Sequence, residues 1–401
     1  MRWARPGGCC GTRSSAAPVI GASARRRRGM PALRSWLWRR SGNGCGPNTW
    51  CHEEGSPAMI RVLHVGDLGL KQYGALPNTF ERKIFYGLLR NEYCAWEFSD
   101  KDVAKFEAPL GISRLGIRAV NRRLMQTVDN FRPDLVLFSN SRKIPNETIE
   151  RIRERFSDVR IGCYTCDPLF SEDNRAHQEQ RVKVADALFV TMAGPLLESL
   201  AGRRARIHYI PNPCDPSVEC LDNFAREDLP IDLLFCGTGS GAEARTRFIA
   251  SLKEALGDVR FEVHGILGQP RIRGREYFEV LGRTRMALNL NKQEAPLYSS
   301  DRISQLMGNG ILCFIHRDSG LERFFPDGER ACFFSDREEL IERVRALARD
   351  DALRRRIACQ GTAWYREHFS ARRVARFMVE ATLGLPFSEP YAWPTEAFSS
   401  A

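Results

Sequence analysis

The chain has no apolar run long enough to cross a membrane, because none approaches the about 18 residues that a spanning helix needs. It also lacks a complete metal-binding motif. The CxxC pair Cys163 and Cys166 has no second CxxC and no nearby His pair to complete a zinc site. No DxD-type motif stands at the end of a predicted strand. We therefore expect a soluble or peripheral protein without a metal site.

The cysteines do not form the pattern of a disulfide-bonded protein. There are 13, an odd number, and most lie inside apolar segments, as Cys236 and Cys313 do. In such segments cysteine behaves as a small buried hydrophobic residue. This usage is typical of a reducing compartment, so the expected location is the cytoplasm, with peripheral contact to a membrane left open.

The net charge of +11 is concentrated at one end of the chain. Residues 1–58 carry ten Arg, no Lys and only two acidic residues, Glu53 and Glu54. The other 343 residues hold a net charge of about +3, which is too weak and too interspersed to indicate a nucleic-acid partner. No nucleic-acid binding is predicted.

Residues 1–58 are predicted to be a disordered Arg- and Gly-rich extension, because they show no helical or alternating apolar period. Two origins remain open. The acid-free beginning has the composition of a transit peptide but no clear amphipathic period. Alternatively Met59 is the natural start, since a buried-strand pattern begins there at once.

From Ile60 onward, short apolar strands alternate with helical stretches, which is typical of an α/β protein with parallel sheets covered on both faces. The first series of strands is predicted at 60–65, 134–139, 159–164, 187–192 and 205–211. The second series is predicted at 232–237, 260–265, 286–291, 310–315 and 331–335.

The two series predict two doubly wound, Rossmann-like domains that face each other across a cleft. The expected bounds are 59–225 for the first domain and 226–385 for the second with its closing C-terminal helices, followed by a tail at 386–401. In such sheets ligands bind outside the carboxyl ends of the strands. Function is therefore expected in the cleft.

Two features of the first domain point into this cleft. Gly66 ends the first strand, and the loop that follows contains Lys71 and Tyr73; these three are candidate acceptor-side residues, although a plain turn explains them equally well. Asp167 follows another predicted strand end. It is the candidate general base for an acceptor hydroxyl, with a simple turn residue before Pro as the alternative.

The second domain offers two candidate phosphate sites. Three glycines follow a predicted strand and precede a helix that carries Arg245, where backbone amides and a guanidinium can hold a diphosphate. The glycines are Gly237, Gly239 and Gly241. Their spacing is not the dinucleotide fingerprint, and a solvated helix face is the alternative for the Arg.

The second candidate is a polar loop at 297–301 that leads into a short helix and then into GNG. The hydroxyls of Ser299 and Ser300, with free amides at the helix start, predict an anion-binding corner to which Arg302 adds a cation. A helix cap alone would explain the serines. Asn291 alternates with leucines in a buried strand, so it is expected to hydrogen-bond a ligand or the loop at 294–300.

Residues 232–383 contain, in this order, DLLFCGTGSG, FEVHG, ALNLNK, SSDRISQLMGNGILCFI and GLERFFPDGERACFFSD. This order gives the segment a resemblance to the donor domain of GT-B glycosyltransferases, in particular the group-1-like enzymes that include the spore-maturation glycosyltransferase-like family. It implies that His264 borders the donor and that Arg302 matches the family's Arg. It also places Gln305 where the family has an acid that holds the donor ribose.

The resemblance implies transfer of a sugar from a nucleoside diphosphate sugar to a hydroxyl acceptor, with no tightly bound cofactor and no metal. Glycan or cell-surface polysaccharide synthesis is the expected setting, with a glycan, a lipid-linked or a protein acceptor. Because Gln305 departs from the pattern, a catalytically inactive binding or assembly protein is the alternative. Donor sugar and stereochemistry stay open. The basic loop Arg271, Arg273 and Arg275 is read as solvated, with an acidic glycan or anionic lipid as the other reading.

Overall fold

The computed structural model describes residues 59–68, 74, 76–241 and 243–398. The predicted extension at 1–58 lies outside the described residues, as do Lys71, Tyr73 and the end of the tail. The described part belongs to one compact unit. No helix within it is both long enough and apolar enough to span a membrane.

Six parallel strands form the first sheet, in the order β2-β1-β3-β4-β5-β6. Their bounds are β1 (Arg61–Gly66), β2 (Cys94–Ser99), β3 (Leu135–Phe138), β4 (Arg160–Thr165), β5 (Ala187–Val190) and β6 (Arg206–Tyr209). The five predicted strands are present. β2 was not predicted, because it is an edge strand with exposed Trp96 and Glu97 and lacks a continuous apolar run.

Helices connect these strands and cover the sheet. They are α1 (Phe80–Arg90), α2 (Asp100–Phe106), α3 (Ile117–Phe131), α4 (Asn146–Arg155), α5 (Glu172–Arg181) and α6 (Pro195–Glu198). The side chain of Thr79 caps α1 by accepting a hydrogen bond from the Arg82 amide at 3.3 Å. This cap fixes the start of α1 just beyond the carboxyl end of β1.

Five parallel strands form the second sheet, in the order β11-β10-β9-β7-β8. The strands are β7 (Ile231–Cys236), β8 (Phe261–His264), β9 (Thr284–Asn289), β10 (Leu312–His316) and β11 (Cys332–Phe334). The helices of this half are α7 (Ala244–Ala255), α8 (Arg275–Leu281), α9 (Arg302–Met307), α10 (Arg337–Arg349) and α11 (Asp351–His368). The structure is therefore α/β with two parallel sheets, as predicted.

The last helix, α12 (Ala371–Leu383), returns to the first sheet. It packs on α1 and β4, and Phe398 beyond it bridges to Ile207 of β6. The predicted domain 226–385 therefore ends too late, because α12 and the residues after it lie with the first half. Its buried face, with Val374, Phe377 and Met378, is the apolar cover that the first sheet needs.

A buried ion pair of the first half also contacts the second half. Lys83 of α1 lies 2.5 Å from Glu219, and both side chains are almost fully buried. The same ammonium donates a hydrogen bond of 2.9 Å to the hydroxyl of Ser304 in α9. Burial raises the pKa of the Glu219 carboxyl, although Lys83 opposes the rise. Each charge thus depends on the other for its solvation.

We expect Lys83→Met to lower the free energy of unfolding by about 3–5 kcal/mol, because it leaves the carboxylate of Glu219 buried without a counter-charge. Adding Glu219→Gln should restore part of the loss. The exposed pair Arg61 and Asp134 supplies the control, since Arg61→Ala should cost about 1 kcal/mol or less. Chemical denaturation measures all three, and equal losses for Lys83→Met and Arg61→Ala would contradict the prediction.

Candidate functional site

Each sheet has one point where its strand order reverses. In the first sheet β1 stands between β2 and β3, and in the second sheet β7 stands between β8 and β9. The connections on the two sides of such a point run over opposite faces, which opens a crevice at the carboxyl ends of the strands. Gly66 ends β1 at the first of these points, and Arg245 and Arg302 contact the strand ends at the second.

Arg302 lies at the reversal point of the second sheet. Its guanidinium donates to the carbonyl of Cys236 at 2.7 Å and to the carbonyl of Leu290 at 2.9 Å. These carbonyls stand at the end of β7 and just beyond β9. The guanidinium also lies 5.3 Å from the ring centre of Phe235. The side chain is therefore fixed in place by two strand ends and an aromatic ring.

Arg245, in the first turn of α7, meets Arg302 at the same place. It donates to the carbonyl of Leu290 at 3.3 Å and to that of Thr238, and it lies 5.7 Å from the Phe235 ring. Burial lowers the pKa of Arg245, and the charge of Arg302 lowers it further. Neither guanidinium forms an ion pair with a carboxylate of the described residues, so positive charge accumulates here.

The glycine-rich segment runs along this pair. Gly237 continues the strand ladder by donating to the carbonyl of His264 at 3.1 Å, and a Cβ on it would come within 2.7 Å of the Phe235 ring. A Cβ on Gly239 would lie 2.7 Å from the carboxylate of Glu243. Gly241 has no heavy atom near its Cβ position. A side chain at Gly237 or Gly239 would therefore collide with its neighbours, whereas the space beside Gly241 is open.

Gly265 sits opposite the same segment with a φ of +79°, and a Cβ there would lie only 2.0 Å from the Gly237 carbonyl oxygen. The backbones after β7 and β8 can therefore approach closely. His264, which precedes it, has Nε2 at 3.4 Å from Glu262, while its Nδ1 is buried without a hydrogen-bond partner in the described structure. The predicted His thus borders the cluster but does not contact the guanidinium pair.

The loop 294–300 is held by polar residues of β9 and the residues after it. Asn291 donates to Glu294 at 2.8 Å and accepts from the Ser300 amide at 3.2 Å, so it binds the loop, one of the two partners expected for it. Ser299 is buried, accepts from Asn289 at 2.8 Å and donates to the Ser300 carbonyl. The Ser299 hydroxyl is therefore already hydrogen-bonded within the protein. Of the two serines, Ser300 remains the candidate for binding an anion, because its hydroxyl has no hydrogen-bond partner among the described residues.

Gln305 lies where α9 meets the first half of the molecule. Its amide donates to the Asp301 carboxylate at 3.2 Å and to the carbonyl of Asn78 at 3.4 Å. It is 7% exposed. The acid that the resemblance expects at position 305 is thus absent, but a carboxylate stands one helical turn earlier, in contact with the replacing amide.

The candidate residues of the first half lie after the carboxyl ends of β1 and β4. Gly66, at the end of β1, has no room for a side chain, because a Cβ would meet the Ser139 hydroxyl at 2.4 Å. The Asp167 side chain, just after β4, is exposed and accepts a hydrogen bond of 2.8 Å from Asn140. Lys71 and Tyr73 cannot be placed, since they fall outside the described residues.

Glu81 is a candidate that sequence reasoning missed. It occupies the first turn of α1, with its side chain near Gly66. Burial raises the pKa of its carboxyl from 4.5 to about 7, and the charges of Asp67, Asp167 and Asp301 contribute to the rise. An acid in the first turn of a helix is ordinarily explained by the helix dipole. Only the folded chain brings the four carboxyl groups together.

One family model matches part of the second half of the chain. The family model described as glycosyl transferase-like matches residues 245–380. This range contains Arg245, Arg302 and Gln305. Curated protein sequences give no significant match. The narrower resemblance to the spore-maturation glycosyltransferase-like family stays a prediction.

Solved structures match over both halves. Sucrose-phosphate synthase from Thermosynechococcus elongatus is 14% identical with a TM-score of 0.54, and the match covers 80% of this chain and 98% of that one. HepE from Anabaena, solved in complex with UDP-glucose, is 13% identical with a TM-score of 0.52, covering 81% and 100%. At such identities the likeness establishes the fold. Residues 245–380 thus match the model of the glycosyl transferase-like family, and the chain has the GT-B fold, with two parallel sheets.

Proposed function

We propose that the protein transfers a sugar from a nucleoside diphosphate sugar to a hydroxyl acceptor. The observation that supports this most is the guanidinium pair Arg245 and Arg302, which lies at the strand-order reversal of the second sheet. Two fixed cations without a described carboxylate partner suit a diphosphate, which presents oxygens to both.

The same cations suit the chemistry of the leaving group. When the bond from the sugar to the diphosphate breaks, negative charge grows on the diphosphate oxygens. Cations already held in place stabilise that charge without reorganising during the reaction. We propose that Arg245 and Arg302 do this and that no metal takes part. A transfer rate that EDTA leaves unchanged would support a metal-independent reaction.

Two carboxyl groups on the first half are candidates to deprotonate the acceptor hydroxyl. Asp167 is the general base predicted from the sequence. Glu81 is a second candidate, supported by a pKa of about 7 and by its place beside Gly66. A base is most effective when its pKa lies near the working pH, which favours Glu81. The proposed acceptor therefore enters along the carboxyl ends of β1 and β4.

The finer assignments are a hexosyl donor and a role in glycan or cell-surface polysaccharide synthesis in the cytoplasm. HepE, which has the same fold, was solved with UDP-glucose, so UDP-glucose is the first donor to try. Glycan, lipid-linked and protein acceptors all present hydroxyl groups.

The test is thermal stability of the full chain with a panel of nucleoside diphosphates and their sugars, followed by release of nucleoside diphosphate in the presence of acceptors. A ligand that binds the native state raises the melting temperature. We expect one base to stand out and the matching sugar to be consumed. Binding without turnover would support the inactive binding or assembly protein, and no binding to any nucleotide would overturn the proposal.

A further inference from the structure

A short segment of the first half exposes several large apolar side chains. From the end of α2 to the start of α3 the chain exposes Phe106 by 85%, Leu110 by 94% and Leu115 by 58%. Ile112 and Ile117, in the same segment, are exposed by 41% and 40%. Five large apolar side chains within twelve residues exceed the scattered exposure that is normal for a protein surface. We name residues 106–117 the apolar ridge.

The apolar ridge has a defined backbone. Gly116 packs so closely on α2 that a Cβ would lie 2.0 Å from the carbonyl oxygen of Ala104. The ammonium of Lys143 donates to the Ser113 hydroxyl at 3.3 Å. Leu110 has a φ of +58°, a conformation that a leucine rarely adopts and that points to constraint by its surroundings. The exposed side chains are thus presented by a structure that holds them outward.

Basic side chains surround the apolar ridge. Residues 101–123 contain six Lys and Arg and only two acids, Asp102 and Glu107. Glu107 is paired with Arg123 at 2.6 Å. Next to Ile117, a groove of about 820 Å³ between α3 and α4 is lined by four arginines, Arg118, Arg122, Arg151 and Arg155, and by one acid, Glu154. The charge that accompanies the exposed apolar groups is therefore positive.

The ridge is also joined to the cleft. α2 begins directly after β2, at the carboxyl edge of the first sheet, and Lys101 in its first turn pairs with Asp67 at 2.7 Å. Asp67 follows Gly66 on the acceptor side. α2 has seven residues, so the ridge begins about 10 Å from this edge.

We propose that the apolar ridge and the arginine groove dock the protein on an anionic phospholipid bilayer, with apolar side chains entering the interface and arginines contacting lipid phosphates. Apolar insertion combined with basic charge is the pair of forces that holds peripheral proteins on such membranes. This deepens the proposed function, because it brings the acceptor side of the cleft to a membrane. Vesicle binding is measured without donor or acceptor, so it succeeds or fails independently of transfer.

The test is co-sedimentation of the full chain with vesicles of phosphatidylcholine alone and of phosphatidylcholine with about one-third phosphatidylglycerol. We expect binding to the anionic vesicles, and Leu110→Ser with Leu115→Ser should weaken it by about tenfold or more. This variant keeps the full charge of the wild type, including the ten Arg of residues 1–58. Leu89→Ser with Leu385→Ser, which alters exposed leucines elsewhere, is the matched control.

A second comparison separates the two basic surfaces. Arg118→Gln with Arg122→Gln should weaken binding to anionic vesicles, whereas Arg273→Gln with Arg275→Gln, just before and at the start of α8, should leave it unchanged. Unaltered binding of the Leu110 and Leu115 variant would overturn the proposal. So would a wild-type dimer in sedimentation velocity that this variant abolishes, because a second copy would then be the partner of the ridge. Circular dichroism confirms that the variants are folded.

Discussion

Arg302→Ala will weaken the binding of a nucleoside diphosphate by about 10- to 100-fold, because each charge-assisted hydrogen bond to a phosphate is worth about 1.5–3 kcal/mol. Arg245→Ala should have an effect of similar size. The two guanidiniums share the Leu290 carbonyl and face the same ligand charge, so the double variant should lose less than the sum of the two. Isothermal titration calorimetry with the nucleotide found by the thermal panel measures each affinity.

The variants need a control for stability, because both arginines also satisfy backbone carbonyls. Titrations are therefore made well below each variant's own melting temperature. Arg275→Ala is the matched control, since Arg275 is exposed and pairs with Glu279 on the same helix. A folded Arg302→Ala protein that binds nucleotide as tightly as the wild type would remove the donor-site assignment.

Glu81→Gln will lower kcat by about 100- to 10,000-fold if Glu81 is the general base, which is the usual contribution of such a group. The base acts in its ionised form, and its pKa is about 7. Activity of the wild type should therefore fall as the pH drops through about 7, and this limb should disappear in the variant. Steady-state rates across the pH range give both results.

Asp167→Asn tests the other candidate. If Asp167 is the base, this variant loses kcat while Glu81→Gln keeps most of it. Stability separates a catalytic from a structural role for Glu81. Its pKa is raised on folding, so it lowers stability as the pH rises from about 4.5 to about 7, and Glu81→Gln should be at least as stable as the wild type at pH 8. A destabilised variant would indicate a structural role.

Most strands could be predicted from the sequence because both sheets are parallel and buried, so that their inner strands are continuous apolar runs. β2 escaped prediction for the opposite reason, since Trp96 and Glu97 face solvent at the sheet edge. The bound at 385 was also misplaced. Nothing in the apolar period of α12 says which of two sheets it covers, because that choice depends on the shape of both.

For the candidate site, too, the local sequence predicted single residues, whereas their contacts depend on the tertiary fold. Arg245 and Arg302 could be named as candidates from the sequence because each lies in the first turn of a helix that follows a loop rich in small residues. Their meeting on Phe235 depends on the packing of β7 against β9, which spacing does not reveal. Ser299 had the right local pattern, yet Asn212 and Asn289 hold it inside the protein. Glu81 could not be predicted as a candidate base from the sequence, because its raised pKa depends partly on carboxyl groups from distant parts of the chain.

The return of α12 to the first sheet determines when the first half can complete its folding during translation. The first six strands leave the ribosome early, but the helix that covers β4 comes about 200 residues later. Until then the apolar surface under Phe377 and Met378 stays open. The half that is made first is thus the half completed last, and a chain that stops before Ala371 would leave the first sheet uncovered even though both sets of strands are present.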